Sequence, residues 1–487
     1  MASSIKNATM GEATMASSAT QTKTTGQTSR FHRVLRGLDM ALFTICAILV
    51  IDQLTASASI GVQSIFWWLL TLVLFFIPYG LITAELGSTY TEEGGIYAWV
   101  RRAFGPVWAG RAAWLWWVNV ALWMPSVYIL FAGIFSDVFA PEMSQWTKVL
   151  MIIALTWVTV GINVVALNLG KWVPNIGALF KAIIMLALGI GGIGYALHNG
   201  AANEFSLSTL TPKWGASLAF LPVIIYNFLG FELMSGAGEE MQNPARDVPV
   251  AIARSGALIA FFYVFATVGI LLALPVSDIS LIKGLPDTFR RVFGTEGAGN
   301  ALVVALCVMT LYTLIANMAT WTMGANRSAA EAANRGDLPS IFAKLHSTHR
   351  TPANSAILCG VISTIVLIVY GLLARDAEDL FWTIFAFSSV VFLLPYLLLF
   401  PSFLKLRQTD PNTPRPYRVP GGYPTAVLLS VICTAFILQA IVFFIYKPGA
   451  FDPTYALSVV GGVVLTVLVG ELLVRRARSR QEAVANV

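Results

Sequence analysis

The chain has 487 residues, of which 57% are hydrophobic and only 11% charged, whereas soluble domains run to about 45–50% apolar and about 25% charged. That balance excludes an ordinary soluble enzyme or binding module, since most of the chain must be accommodated in lipid. The net charge of +6 is better explained by basic residues that orient a membrane protein than by nucleic-acid binding.

Residues 1–35 are rich in Ala, Ser, Thr and Gly and contain no apolar core segment. They read as a disordered cytoplasmic tail, not a cleaved signal peptide. Twelve apolar stretches follow, at about 36–60, 64–90, 106–136, 147–168, 173–197, 216–241, 248–275, 298–325, 354–373, 378–404, 423–446 and 455–474. A helical span needs about 20 residues, and runs such as 149–167 are far too long for barrel strands. The expected fold class is therefore an all-α membrane protein with 12 transmembrane helices over 36–474, ended by a cytoplasmic tail at 475–487.

Helix 1 contains "LVIDQLTASASIG" (49–61), with Asp52 near its middle. No glycine between Gly37 and Gly61 marks a break there. Helix 6 contains "NFLGFE" (227–232), with Gly230 and Glu232, five helices later. Interrupted helices at corresponding places in two halves point to a transporter built of inverted repeats. Repeat one would be 36–197 and repeat two 216–404, with helices 11 and 12 (423–474) appended. The Pro-rich, basic segment 405–424 reads as an ordered cytoplasmic connector.

With the N-terminus inside, Arg33, Arg36, Arg101, Arg102, Arg327, Arg335, Arg407 and Arg475 all fall on the cytoplasmic side. Both termini are then cytoplasmic, and the expected location is the cell (inner) membrane, with multiple passes. Cys46, Cys307, Cys359 and Cys433 sit singly within spans and read as small buried residues, not disulfides or a zinc site. His32, His198, His346 and His349 avoid the span centres, and no HExxH occurs. This argues against an intramembrane enzyme, and no cofactor is expected. A channel would need a repeated filter or charged ring, which is not evident.

Three segments carry a family likeness. "AELGSTYTEEGGIYAWVRRAFGP" (84–106), "YNFLGFELMSGAGEEMQNPARDVPVAI" (226–252) and "WTMGANRSAAEAANRGDLPSIFAKLH" (321–346) resemble the signatures of the amino acid–polyamine–organocation superfamily, in order and spacing. "IFWWLLTLVLFFIPYGLITAELG" (65–87) and "WLWWVNVALWMPSV" (114–127) look closest to its glutamate:GABA antiporter-like branch. The resemblance implies the leucine-transporter fold, a 5+5 inverted repeat of helices 1–5 and 6–10 plus helices 11–12, and alternating access. It implies a secondary active transporter of an amino acid or related amine, proton-coupled or exchanging, and independent of sodium. The alternatives are a polyamine or organocation permease, or a non-transporting sensor on the same fold. Implied partners are the small-molecule substrate, protons and membrane lipids, with no nucleic acid; a homodimer is compatible with the sequence.

The substrate would lie between helices 1 and 6. Val50, Ile51, Asp52 and Gln53 stand where many relatives have a glycine-containing GSG triplet; here the stretch has no glycine. Asp52 either faces the site and selects a positive group, pairs with Lys181, or caps the break. Asn227, Phe228, Leu229 and Gly230 form the expected break in helix 6, where glycine permits unusual backbone angles. Tyr226 and Trp321 match a gating aromatic and a substrate-stacking aromatic of related arginine–agmatine antiporters, the alternative being packing aromatics. Trp123 and Met124 on helix 3 and Ser388 and Ser389 on helix 10 are further candidate walls. Lys181 resembles the lysine that replaces a sodium ion in proton-coupled members; the alternative is a lysine snorkelling to the interface. Glu232 either binds a proton and holds the gate, or bonds the broken backbone.

Overall fold

Every backbone N–H and C=O that crosses lipid needs a partner within the protein, and the apolar runs meet that need as helices. A computed structural model of the chain describes residues 37–92, 94–165, 172–235, 243–372, 376–446 and 451–485. The sequence-assigned tail 1–35 and part of the segment 226–252 lie outside them. Eleven helices are long and apolar enough to span a membrane. They are helix 2 (Ser64–Thr89), helix 3 (Pro106–Phe139), helix 4 (Gln145–Val165), helix 5 (Trp172–Asn199), helix 6 (Leu218–Ser235) and helix 7 (Pro244–Ala273). Helix 8 (Gly297–Asn334), helix 9 (Ala353–Gly371), helix 10 (Ala377–Thr409), helix 11 (Gly422–Ile445) and helix 12, from Pro453, complete the set. Helix 1 is the twelfth, and it is broken into Gly37–Ile48 and Leu54–Ala58.

Three boundaries differ from expectation, the first being helix 8, which runs past 325 to Asn334. Helix 10 is two pieces, Ala377–Leu393 and Tyr396–Thr409, because Pro395 cannot donate the bond that would continue the first. Helix 12 does not stop at 474; it runs to Ala485. Its last turns are built of good helix formers, and Arg475–Glu471 and Arg478–Glu482 pair four residues apart along them.

The two halves repeat each other. Helices 1 and 6 are the broken pair, and helices 3 and 8 are the two longest spans, at 34 and 38 residues. A short amphipathic helix follows helix 2 (Ile96–Phe104) and another follows helix 7 (Gly284–Phe293). The first ends in Arg101-Arg102-Ala103-Phe104-Gly105 and the second in Arg290-Arg291-Val292-Phe293-Gly294, a repeated motif. Each arginine pair reaches across to the other half. Arg101 Nε bonds Asp337, just past the end of helix 8, at 2.7 Å, and Arg290 Nη1 bonds Asp137, at the end of helix 3, at 2.6 Å. Helices 3 and 8 run in opposite directions, so these two latches sit on opposite faces of the bundle. This is the leucine-transporter arrangement.

Packing is close where the halves interlock. Helix 5 crosses helix 7 at Gly192 and Gly269, where a Cβ on Gly192 would lie 2.2 Å from the Gly269 carbonyl oxygen. Helix 3 packs along helices 8 and 10. On the face where the described chain begins and ends, Glu85 of helix 2 collects the connector after helix 10. It accepts from Arg407 Nε at 2.8 Å and Arg415 Nε at 3.1 Å, and from the Val419 N–H at 2.7 Å. All three side chains are buried. Deleting one partner of such a buried charge cluster leaves the others uncompensated. Glu85→Ala should lower stability by about 3–5 kcal/mol, measured as denaturant unfolding in detergent, with Glu85→Asp losing less. A change below about 1 kcal/mol, as for an exposed ion pair, would show that the connector is held otherwise.

Candidate functional site at the crossing of the broken helices

A helix that stops in mid-membrane leaves carbonyls with no intrahelical partner. The first piece of helix 1 has its last three carbonyls taken by three other helices. Lys181 Nζ of helix 5 donates to the Cys46 carbonyl at 2.5 Å. Trp321 Nε1 of helix 8 donates to Ala47 at 2.9 Å, and the Tyr263 hydroxyl of helix 7 to Ile48 at 2.5 Å. Tyr263 also accepts from the Val50 N–H at 2.7 Å. Lys181 has a second acceptor, Asn317 Oδ1 of helix 8, at 2.8 Å. Its ammonium thus lies at the negative end of a half-helix, where a cation is favoured.

Helix 6 breaks for a local reason. Its first piece ends at Asn227, and Gly230 takes φ +127, a conformation that side chains resist. A Cβ there would lie 3.0 Å from Ile48 and 3.1 Å from the Trp321 ring, so the two breaks and Trp321 meet. The freed N–H groups of Gly230 and Phe231 donate to the Tyr79 hydroxyl of helix 2 at 3.0 and 2.9 Å. Tyr79 in turn donates to Glu232, whose other oxygen accepts from Tyr396 of helix 10 at 2.5 Å.

Aromatic walls stand beside the crossing. Trp123 of helix 3 meets Tyr226 edge-on at 5.9 Å and Trp321 at 5.8 Å between ring centroids. Phe385 and Phe392 of helix 10 close the group, at 5.0 Å from Tyr226 and 5.4 Å from Trp321. Within the helix 1 break, Val50, Ile51, Asp52 and Gln53 are all buried. Asp52 accepts from Gln53 Nε2 at 3.1 Å through one oxygen, and its other oxygen has no partner among the described residues. The Trp123 indole N–H lies towards Asp52 without completing a hydrogen bond. Both amide atoms of Asn227, the Gln53 carbonyl and the Ser389 hydroxyl are likewise buried and unpartnered. Each orphan of this kind costs about 1–3 kcal/mol. Those of Asp52, Gln53 and Trp123 stand together at the helix 1 break and can serve a bound polar ligand.

Several alternatives left open by the sequence are now decided on geometry. Asp52 makes no ion pair with Lys181 among the described residues, and the second piece of helix 1 starts from Gln53 with no side-chain cap. Lys181 is 1% exposed, so it does not snorkel. Glu232 reaches the broken backbone through Tyr79 rather than directly. Phe228 turns away from the aromatic walls and stacks on Phe76 of helix 2 at 4.3 Å. Leu229 and Met124 are buried, and Ser388 spends its hydroxyl on the Phe385 carbonyl. Tyr79, Tyr263, Tyr396, Asn317 and Phe392 escaped the sequence reading. A signal existed for the tyrosines, since a phenol in mid-span must find a partner. The four cysteines are buried and free. A groove of about 750 Å³ lies elsewhere, on the outer surface between helices 2 and 7, and its walls are apolar.

The description "Amino acid permease" belongs to the family whose pattern matches residues 35–469. A protein of Lactococcus lactis named as a probable agmatine/putrescine antiporter is 36% identical over 446 residues, 89% of this chain and 93% of its own. An uncharacterized transporter of Legionella pneumophila is 25% identical over 91% of this chain and 97% of its own. An uncharacterized amino acid permease of Bacillus subtilis is 26% identical over 74% of this chain and 81% of its own. These are transporters and not enzymes. The broken helices crossing at a buried polar centre are thus those of a permease, and the chain belongs to the amino acid permease family of the amino acid–polyamine–organocation superfamily.

Proposed function

We propose that the protein is a sodium-independent exchanger of small organic amines, working by alternating access at the crossing of helices 1 and 6. The observation that carries this reading is the unpartnered Asp52 oxygen, buried beside Trp123 and the helix 1 break. A buried carboxylate with a free oxygen calls for a cation, and rings of Trp and Tyr favour a cation over their faces. The Lactococcus lactis relative carries agmatine and putrescine, both cationic amines, in its name. Trp321 and Tyr226 wall the substrate, with Val50, Ile51 and Gln53 lining it from helix 1 and Asn227, Leu229 and Gly230 from helix 6. Met124 stands behind Trp123.

Lys181 supplies, as a fixed cation, the charge that a diffusible ion would bring to helices 1, 5 and 8. Protonated, it holds Cys46 and Asn317 together; deprotonated, it releases them, which couples exchange to protons. Glu232 holds the helix 6 break through Tyr79. Both chain ends lie in the cytoplasm and the bundle spans the cell membrane, a reading supported by Arg101, Arg102, Arg335 and Arg407 gathering on the face of the chain ends.

Proteoliposomes loaded with putrescine should take up labelled agmatine by saturable counterflow, which a non-transporting sensor would not do. Asp52→Asn should weaken agmatine binding by about 10- to 100-fold, the worth of a hydrogen bond to a charged group, read by calorimetry on the purified protein. Unchanged binding would remove Asp52 from the site. Uptake should be equal in sodium and choline buffers at one pH, and Lys181→Ala should flatten the pH profile of exchange. A sodium requirement, or a wild-type profile in Lys181→Ala, would dismiss the fixed-cation role.

A further inference from the structure

Each broken helix exposes backbone N–H groups that could receive a substrate carboxylate, and in this protein those of Gly230 and Phe231 in helix 6 and of Val50 in helix 1 are already occupied. Gly230 and Phe231 donate to the Tyr79 hydroxyl at 3.0 and 2.9 Å. Val50 donates to the Tyr263 hydroxyl at 2.7 Å. A phenol has two acceptor lone pairs and one donor. Tyr79 uses all three, the donor going to Glu232, and Tyr263 gives its donor to the Ile48 carbonyl. The arrangement is reciprocal. Tyr79, on the second helix of the first repeat, closes the break of the second; Tyr263, on the second helix of the second repeat, closes the break of the first.

Each break also brings its own carboxylate. Asp52 follows Val50 by two residues, and Glu232 directly follows Phe231. Both are buried, at 1% exposure. A carboxylate reaching for the Val50, Gly230 or Phe231 donors would have to displace a phenol and stand beside a fixed carboxylate, and like charges at short range in a dry interior repel strongly. A decarboxylated amine meets neither obstacle.

We infer that Tyr79 and Tyr263 are specificity residues whose hydroxyls stand in for a substrate carboxylate and exclude amino acids in favour of their decarboxylated amines. This rests on the amine-exchange reading above and adds the device by which the acid group is refused. Specificity here comes from donors already spent rather than from the width of the site.

The test compares compounds that differ only in the α-carboxylate. Wild-type protein should bind agmatine at least 100-fold more tightly than arginine, and putrescine likewise over ornithine. Arginine methyl ester, which keeps the bulk and loses the charge, should bind within tenfold of agmatine. Tyr263→Phe and Tyr79→Phe, checked for wild-type melting temperature, should each narrow the agmatine-to-arginine ratio at least tenfold. An ester refused as strongly as arginine would overturn the inference, because exclusion would then be by size; this arm needs no variant to fold. Folded variants that both keep the wild-type ratio would also overturn it. Wild-type protein that binds arginine as tightly as agmatine would overturn it while leaving exchange intact. Binding of neither agmatine nor putrescine would instead remove the amine reading.

Discussion

Three carbonyls at the end of half a helix, stranded where water cannot reach, govern the centre of this protein. Cys46, Ala47 and Ile48 are satisfied by Lys181, Trp321 and Tyr263, one side chain each from helices 5, 8 and 7. In lipid an unpaired backbone group costs several kcal/mol, so the break in helix 1 exists only while those three helices hold their places. The walls of the site follow from that requirement. Trp321 stands over the crossing because its indole N–H is spent on Ala47. Lys181 is deep in the bundle because a carbonyl and Asn317 await it. Tyr263 is drawn in by both sides of the break.

The same requirement explains how motion and binding are tied together. Every side chain around Asp52 is buried, so the described state is closed to both faces. A ligand can reach Asp52 only if helices 1 and 6 shift against helices 3, 8 and 10. Such a shift must exchange some of these caps for contacts with the ligand or with water. Among the described residues, buried polar atoms of Asp52, Trp123, Asn227 and Ser389 have no hydrogen-bond partner, so a polar ligand would find groups to bond there.

The break in helix 6 was legible because its cause is local: Gly230 takes a backbone angle that glycine alone accepts readily. The break in helix 1 has no such residue. Its partners lie between 135 and 274 positions away along the chain, so nothing near Asp52 announces them. Lys181 draws notice in the sequence because a lysine far inside an apolar run needs a partner, and its two acceptors lie on helices 1 and 8. Opposite charges make a pairing of Asp52 with Lys181 one of the options the sequence offers, but the lysine is consumed by neutral oxygens. The extension of helix 12 to Ala485 was missed because hydropathy stops where the arginines begin, while helix propensity does not. The repeated arginine motif at 101–105 and 290–294 was readable by eye, and its meaning emerges only when each copy is seen to clasp the opposite half.

Those two latches also bear on the energy balance of the cycle. Their arginine side chains are similarly exposed, at 33% and 30%, and each is bonded to an aspartate at nearly the same length. Opening the bundle to one side strains one latch and leaves the other closed. Because the two are near copies, their contributions to the inward-open and outward-open states largely cancel. The equilibrium constant between those states is then left close to one as far as the latches are concerned. Neither opening is then favoured by its own latch, and any bias between the two must come from contacts elsewhere in the bundle.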